Sequence, residues 1–444
     1  MDFRVRSRTE LEEIEVKTLS PLAQVSRGAH ATRLHEEKEH DYRTAFQRDR
    51  DRIIHSRAFR RLKHKRQVFL TTESDHYRTR ITHTLEVSQL ARTVARVLGL
   101  NIDLVEAIAL GHDIGHTPFG HLGEVILDKI MTGKRHLKGQ RPGQNLGGFK
   151  HNYQSVRIVD KLEKRYPFDG LNLTAPVREG ILKHTRLRKD IIDYPDFEYR
   201  GLNYEQPSAT TLEGQVVAVC DEIAQRTHDL EDGLRAGLVQ MAQVRELEII
   251  KQVEQTYHLN ALYEQDELMY REAVIRYLIN VLVDDVLQVT TEQLCRLPDR
   301  KIPSRTLGKE VVCFSANMEP LQAELNKFIY REIIHFSRVQ WSDKLAEKLI
   351  FRLFEAYYRK PELLPDYLVQ SFFDDLSDGG EKLTSAKYKE MRDNSRFVRL
   401  ICDYIAGMTD YFALREAERL AQLQQFRTDD LHLESALGKT FVVP

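Results

Sequence analysis

Apolar residues recur along this chain mostly at the three- and four-residue steps of an α-helix. Thr82 to Leu98 repeats them clearly, with Leu85, Leu90, Val94 and Val97 or Leu98 predicted to face inward. Asp103 is placed to cap the next helix, which carries Leu104, Ile108 and Leu110 and ends near Gly115. Thr210 and Glu213 have capping-box spacing ahead of a long helix through Leu212, Val216, Val219, Ile223, Leu230 and Leu234. Asp49 to Gln67 is basic and amphipathic, with Ile53, Ile54, Ala58, Phe59 and Leu62 on its apolar face.

The pattern breaks in few places. Residues 1–50 are polar and read as an arm with short helices. Between Met131 and Phe149, Pro142 and the glycines at 133, 139, 143, 147 and 148 punctuate a polar run, which predicts a long flexible loop. From about residue 240 the helical pattern resumes with charged connectors and closes on an apolar cluster from Leu400 to Leu414. Only Lys309 to Ser315 suggests a short strand or hairpin, and no internal repeat is visible. The expected fold is therefore all-α. It divides into an N-terminal arm (1–50), a core (51–235) and a helical C-terminal region (236–444).

Composition narrows the classes of function. The 66 basic and 67 acidic residues nearly cancel, which argues against a nucleic-acid coat protein or a polybasic membrane binder. The N-terminus has no apolar signal region and no stretch of about 20 apolar residues exists, so no membrane partner is expected. Cys220, Cys295, Cys313 and Cys402 form no C-x-x-C pair, and a reducing cytoplasm is the expected home.

The chemistry concentrates in Gly111 to Glu124, GHDIGHTPFGHLGE, which holds His112, Asp113, His116 and His121. Any one histidine is more often an ordinary core or surface residue. An adjacent His-Asp pair at a helix end, with more histidines following, instead suits a mixed nitrogen and oxygen site for Mn, Mg, Fe, Co, Ni or Zn. His83 lies on the helix upstream. Downstream, Asp221, Gln225, His228 and Asp232 share one helical stripe with Asp229 beside it. Polar groups within a long apolar helix need partners, and a metal supplies one. A solvated face is the simpler reading for Asp232, less so for Asp221 after the apolar run VVAVC.

His83, His112-Asp113 and Asp221 resemble the H…HD…D signature of the HD superfamily, whose four residues bind a divalent metal. The flanks are more specific. Phe46 to Phe69, Arg78 to Val87, Gly111 to Glu124, Phe149 to Val159, Asp221 to Asp232 and Asp403 to Ala413 together resemble the dGTPase-like dNTP triphosphohydrolases. The resemblance implies an HD helical core and release of deoxynucleoside and intact triphosphate, with a metal that polarises the phosphoryl group and acidifies water. It matches Gln67 and Val68 to the pair that lines the deoxyribose and excludes a 2′-hydroxyl. It matches Asp229 to the 3′-hydroxyl acceptor, Arg80 to an arginine near base and phosphates, and His116 to a histidine at the α-phosphate. His121 and Glu124 match the catalytic histidine–acid pair, the imidazole acting as general acid, and His151 a further active-site histidine. The family also implies homo-oligomers, commonly hexamers, and in some members a dNTP effector.

Two positions depart from the family pattern. Gln225 stands where relatives often carry Tyr near the substrate, and Ala29 to Thr32 lack an expected basic residue. Both bear on substrate preference and effector contact. The cationic run Arg57, Arg60, Arg61, Lys63, Lys65 and Arg66 reads first as a solvated or subunit-facing surface, then as a triphosphate contact, with a single-stranded DNA regulator as the minor reading. The alternative functions are another HD phosphohydrolase, a 5′-nucleotidase or phosphodiesterase, and, further off, a nucleic-acid-binding regulatory protein.

Overall fold

The structure is a computed structural model, which describes residues 4–67, 78–138, 146–187, 198–199, 201–202, 204–297, 305–335, 337–374, 388–389, 391–392 and 394–422. Val68 and the centre of the glycine-rich run, 139–145, lie outside the described residues. The N-terminal half holds α1 (Arg8–Thr18), α2 (Ala45–Ile54), α3 (Arg57–Arg61), α4 (Arg80–Val97), α5 (Ile102–Gly111), α6 (His121–Met131), α7 (His151–Arg157), α8 (Ala175–Lys183) and α9 (Leu212–Arg235). The C-terminal half holds α10 (Met241–Val244), α11 (Glu248–Tyr257), α12 (Asn260–Gln265), α13 (Glu267–Cys295), α14 (Met318–Ile329), α15 (Ser337–Arg359), α16 (Asp366–Asp374), α17 (Ser395–Ala406) and α18 (Asp410–Gln422). Among the described residues there is no sheet, only isolated bridges between Arg66 and Thr79 and between Lys164 and Gly170. The fold is all-α, as the periodicity predicts.

Local chemistry moves several boundaries. The amphipathic run ending at Gln67 is not one helix. It breaks at His55, and Ser56 restarts it by accepting the Phe59 N–H at 3.1 Å. Asn101, not Asp103, caps α5 by accepting from Leu104 N at 3.2 Å, while Asp103 pairs with Arg50 at 2.9 Å. Thr211, not Thr210, caps α9 through the Gly214 N–H at 3.1 Å. Glu213 instead reaches out of its helix to accept from Gln24 N at 2.9 Å and Asn101 N at 3.1 Å. Lys309 to Ser315 forms no strand. Its Val311 and Val312 N–H groups donate to the side chain of Gln215, which satisfies that backbone without a partner strand.

Two hydrophobic clusters result. The larger joins α2, α4, α5, α8 and α9 to α11, α13 and α14, and takes Leu22, Ala23 and Phe46 from the first 50 residues. The smaller packs Ile126, Leu127 and Ile130 of α6 against α15 and α17, with α18 joined through α15. Neither cluster is divided at residue 50 or 235, so the three sequence intervals stay a proposal about folding units. Residues 113–120 lead from the first cluster, through Ile114, to the second, through Phe119. Among the described residues no helix is long and apolar enough to cross a membrane.

Candidate active site and metal centre

Three helices of the larger cluster converge on one buried polar centre. α4 places His83 in its first turn and α9 places Asp221 near its midpoint. α5 ends at His112, and Asp113 begins the turn beyond it. His83 Nε2 lies 2.9 Å from Asp221 Oδ1. His112 Nε2 lies 3.4 Å from Asp113 Oδ1 and 3.5 Å from Asp221 Oδ1.

The hydrogen bonds fix which ring nitrogens of this centre are free to bind. His112 donates its Nδ1 proton to Ala109 O at 2.6 Å, so its buried Nε2 is a lone pair without a hydrogen-bond partner. Glu86 contacts His228 Nε2, which fixes that proton and makes His228 Nδ1 the acceptor for His83 Nδ1 at 3.2 Å. The His83 Nε2 lone pair then faces a carboxylate. Two lone pairs and two carboxylates meeting in a dry interior are stable only around a cation. Burial alone would discharge these groups. Without a metal, Asp113 and Asp221 outweigh that burial and push His112 up to about 9, so a proton on Nε2 takes the place a cation would hold, and both carboxyls are held well below their usual range. The residues therefore fit a divalent metal ion, and the Glu86–His228 pair orients one of its ligands.

A second polar group adjoins the first. Arg80 Nη1 donates to Asp113 Oδ2 at 2.6 Å, and His116 Nδ1 lies 2.9 Å from Asp113 Oδ1. Burial and Arg80 hold the His116 imidazole well below its usual value. His116 stacks on His151, ring centroids 3.9 Å apart. Glu124 of α6 accepts from Lys150 Nζ at 2.7 Å, and from His151 N at 3.0 Å and Nδ1 at 2.5 Å. A close approach holds the turn after His112 against the start of α7. A Cβ on Gly115 would lie 2.2 Å from His151 O, and Ser155 ties the same loop by donating to His112 O and accepting from Gly115 N. Only glycine fits there.

Not every expected residue joins this centre in the same way. The His121 side chain is 80% exposed, and its Nδ1 is 3.7 Å from Glu124 Oε1, beyond a hydrogen bond. Glu124 is engaged by Lys150 and His151 instead, which the sequence spacing did not foretell. Gln225 is exposed on α9. Asp232, whose simpler reading was a solvated face, is buried and pairs with Arg78 at 3.0 Å. Gln67 Oε1 and Asp229 Oδ1 are buried and unpartnered. Burial, with Asp232 nearby, pushes the Asp229 carboxyl up to about 8.

Sequence reasoning passed over His184, Lys150, Glu86 and the orienting part of His228. His228 could have been found from its place on the Asp221 stripe. His184, the residue after α8, sits 3.1 Å from His151 and carries no spacing motif that marks it.

A buried histidine–aspartate centre on helices alone defines an HD-domain protein. The HD domain model matches residues 80–226, and a phosphohydrolase-associated domain matches 312–419. The chain is 39% identical over 393 residues to the deoxyguanosinetriphosphate triphosphohydrolase-like protein of Geobacter sulfurreducens, covering 87% of this chain and 91% of that one. It is 40% identical over 409 residues to the protein so named in Parvibaculum lavamentivorans, covering 89% and 94%. A like-named Mesorhizobium japonicum protein is 40% identical over 419 residues, covering 90% and 93%. The chain belongs to the deoxyguanosinetriphosphate triphosphohydrolase-like family of HD phosphohydrolases.

Proposed function

We propose that this protein is a divalent-metal-dependent dNTP triphosphohydrolase, converting a dNTP and water to deoxynucleoside and inorganic triphosphate. The observation that carries the reading is the buried convergence of His83, His112, Asp113 and Asp221 beside Arg80, His116 and His151. Those first four residues would hold the ion. When bound, it supplies Lewis-acid charge to a phosphoryl oxygen and acidifies a water.

The remaining residues divide the other tasks. Arg80 and His116 bring positive charge and a donor to the side where the α-phosphate would lie. His121, on the exposed N-terminus of α6, would protonate the leaving 5′-oxygen with Glu124 beside it. The unpartnered Gln67 and Asp229 oxygens suit a sugar that carries donors, Asp229 taking the 3′-hydroxyl. Gln67 and Val68 would close on C2′ and disfavour ribonucleotides. Gln225 stands at the solvent edge, where a substrate could still reach it. We carry as proposals a dNTP effector, a homo-oligomer such as a hexamer, a cytoplasmic location and, last, a single-stranded DNA regulator. The basic run favours no continuous DNA surface, since Lys65 and Arg66 turn inward while Arg57, Arg60, Arg61 and Lys63 are exposed.

Ion-exchange analysis of products from each dNTP and from GTP, with Mn or Mg and with chelator, tests this. Deoxynucleoside plus triphosphate is expected, with neither from GTP nor under chelation. Inorganic phosphate or an opened cyclic diester as product would replace the reading with another HD phosphohydrolase.

A further inference from the structure

Asp403 opens the segment to Ala413 that the family resemblance singles out, and the proposed function gives it no task. It lies in the last turn of α17, and its carboxylate takes side chains of α7. Arg157 Nε donates to Asp403 Oδ1 and Oδ2, both at 3.0 Å, and Nη2 to Oδ2 at 2.7 Å. Gln154 Nε2 donates to Oδ1 at 2.9 Å. One turn back along α17, Arg399 donates to Leu146 O and, at 3.0 Å, to Gly148 O. One face of α17 therefore holds both ends of the segment 146–157, which carries Lys150 and His151.

The ion pair is buried, with 2% of the Arg157 side chain and 11% of the Asp403 side chain exposed. Such a pair is a poor source of stability, because apolar side chains of like size commonly hold a protein as well. What it adds is direction, since a guanidinium fork and a carboxylate meet in few orientations. It also joins the two clusters. α7 gives Tyr153 and Val156 to the larger, and α17 gives Phe397, Val398 and Ile401 to the smaller. α7 is seven residues long and runs straight into a π-turn, Ile158–Leu162, so no long α-helix sets its register. Gln154 and Arg157 stand one turn and nearly two turns beyond His151, and a helix this short moves as a unit.

We infer that Asp403 is a positioning residue for the reaction: through Arg157 and Gln154 it fixes where α7 presents His151. The inference rests on the proposed hydrolase reading, in which His151 lies in the site, stacked on His116. Misplacing a group at a reacting centre by about 1 Å can cost 10²-fold in rate. Gln67 and Asp229, proposed for the sugar, stand on other elements. Loss of the pair therefore lowers kcat and leaves KM.

Two full-length variants separate position from stability. Asp403→Asn spoils the bidentate pair, and Arg157→Met combined with Asp403→Leu replaces it by apolar packing. Each is compared with wild type for melting temperature, and for kcat and KM on the dNTP hydrolysed fastest. Without substrate, modification of each histidine by diethylpyrocarbonate is followed by peptide mass spectrometry. In both variants His151 should react severalfold faster, while the buried His83 and His112 keep their wild-type rates. The kcat should fall about tenfold or more, with KM changed by less than about twofold. The apolar pair should behave so at a wild-type melting temperature, and it carries the test if Asp403→Asn does not fold. A wild-type rate at His151, or an unchanged kcat, overturns the inference. So does faster modification of all three histidines, or unfolding of both variants, since the pair then serves the fold alone. If the wild-type protein releases no triphosphate from any dNTP, the proposed function fails, and the modification pattern still decides whether Asp403 holds His151.

Discussion

At the scale of single residues, position and proton state decide each role. His121 illustrates a role set apart from metal binding. Its side chain is exposed and makes no contact with His83, His112, Asp113 or Asp221 at hydrogen-bond distance, so the proposed metal ligands do not depend on it. General-acid assistance contributes about 10²–10⁴-fold to a rate. His121→Ala is expected to keep its bound metal and its melting temperature while kcat falls by about 10²-fold or more. An unchanged kcat, with metal content confirmed by elemental analysis, removes His121 from the mechanism. The HD residues were legible because His112-Asp113 stands at a helix end among further histidines and because His83 and Asp221 complete a known signature. His184 was not legible, because its place beside His151 comes from the packing of α7 against α8 and not from neighbours in sequence.

At the scale of elements, the helices read well from the sequence and their faces less well. α9 is buried along Leu212, Val216, Val219, Ile223 and Leu230, as its period predicts. α4 follows its period only in part. Val94 is buried and Leu90 and Leu98 pack against the core, but Leu85 is 53% and Val97 66% exposed, while His83, Thr84, Val87, Ser88 and Ala91 face inward. The inner face of α4 near its start carries His83 and small residues that let α5 and α9 approach, so hydrophobicity alone misplaces Leu85. The C-terminal helices reach the site by a clamp that no pattern showed. Asp410, the first residue of α18, accepts the N–H of Arg66 and of Phe119, both at 2.8 Å. Lys65 Nζ bridges His116 O and Ala406 O from the same side. The clamp fixes Gln67 against the turn that carries His116. Asp410→Ala would strand two buried N–H groups, at about 1–3 kcal/mol each. The expected order of melting temperature is wild type, then Asp410→Asn, then Asp410→Ala, with KM for the nucleotide rising in the same order. Equal KM across the three would mean that the clamp serves stability alone.

At the scale of the whole molecule, the hub that ties the N-terminal segment to the core is a carboxyl group. Glu213 Oε1 accepts from Gln24 N and from Asn101 N, joining the first 50 residues, the cap of α5 and the start of α9. Its Oε2 is buried without a partner, the state expected of a protonated acid. Burial pushes this carboxyl up to about 7, against which its two backbone donors pull weakly. The folded protein therefore holds a proton that the unfolded chain releases near pH 4.5, the ordinary glutamate value. Where the native state binds more protons, stability falls as pH rises. The penalty from Glu213 grows by roughly 1.4 kcal/mol per pH unit between those two values and then levels off. Glu213→Gln keeps the accepting oxygen and removes the titration. Its melting temperature relative to wild type should therefore climb from pH 5 to pH 7 and stay flat above. The other buried carboxyls titrate equally in both proteins and drop out of the difference. A difference that is constant across pH 5–8 would show that Glu213 is already ionised in the fold, its charge carried by the Gln24 and Asn101 donors.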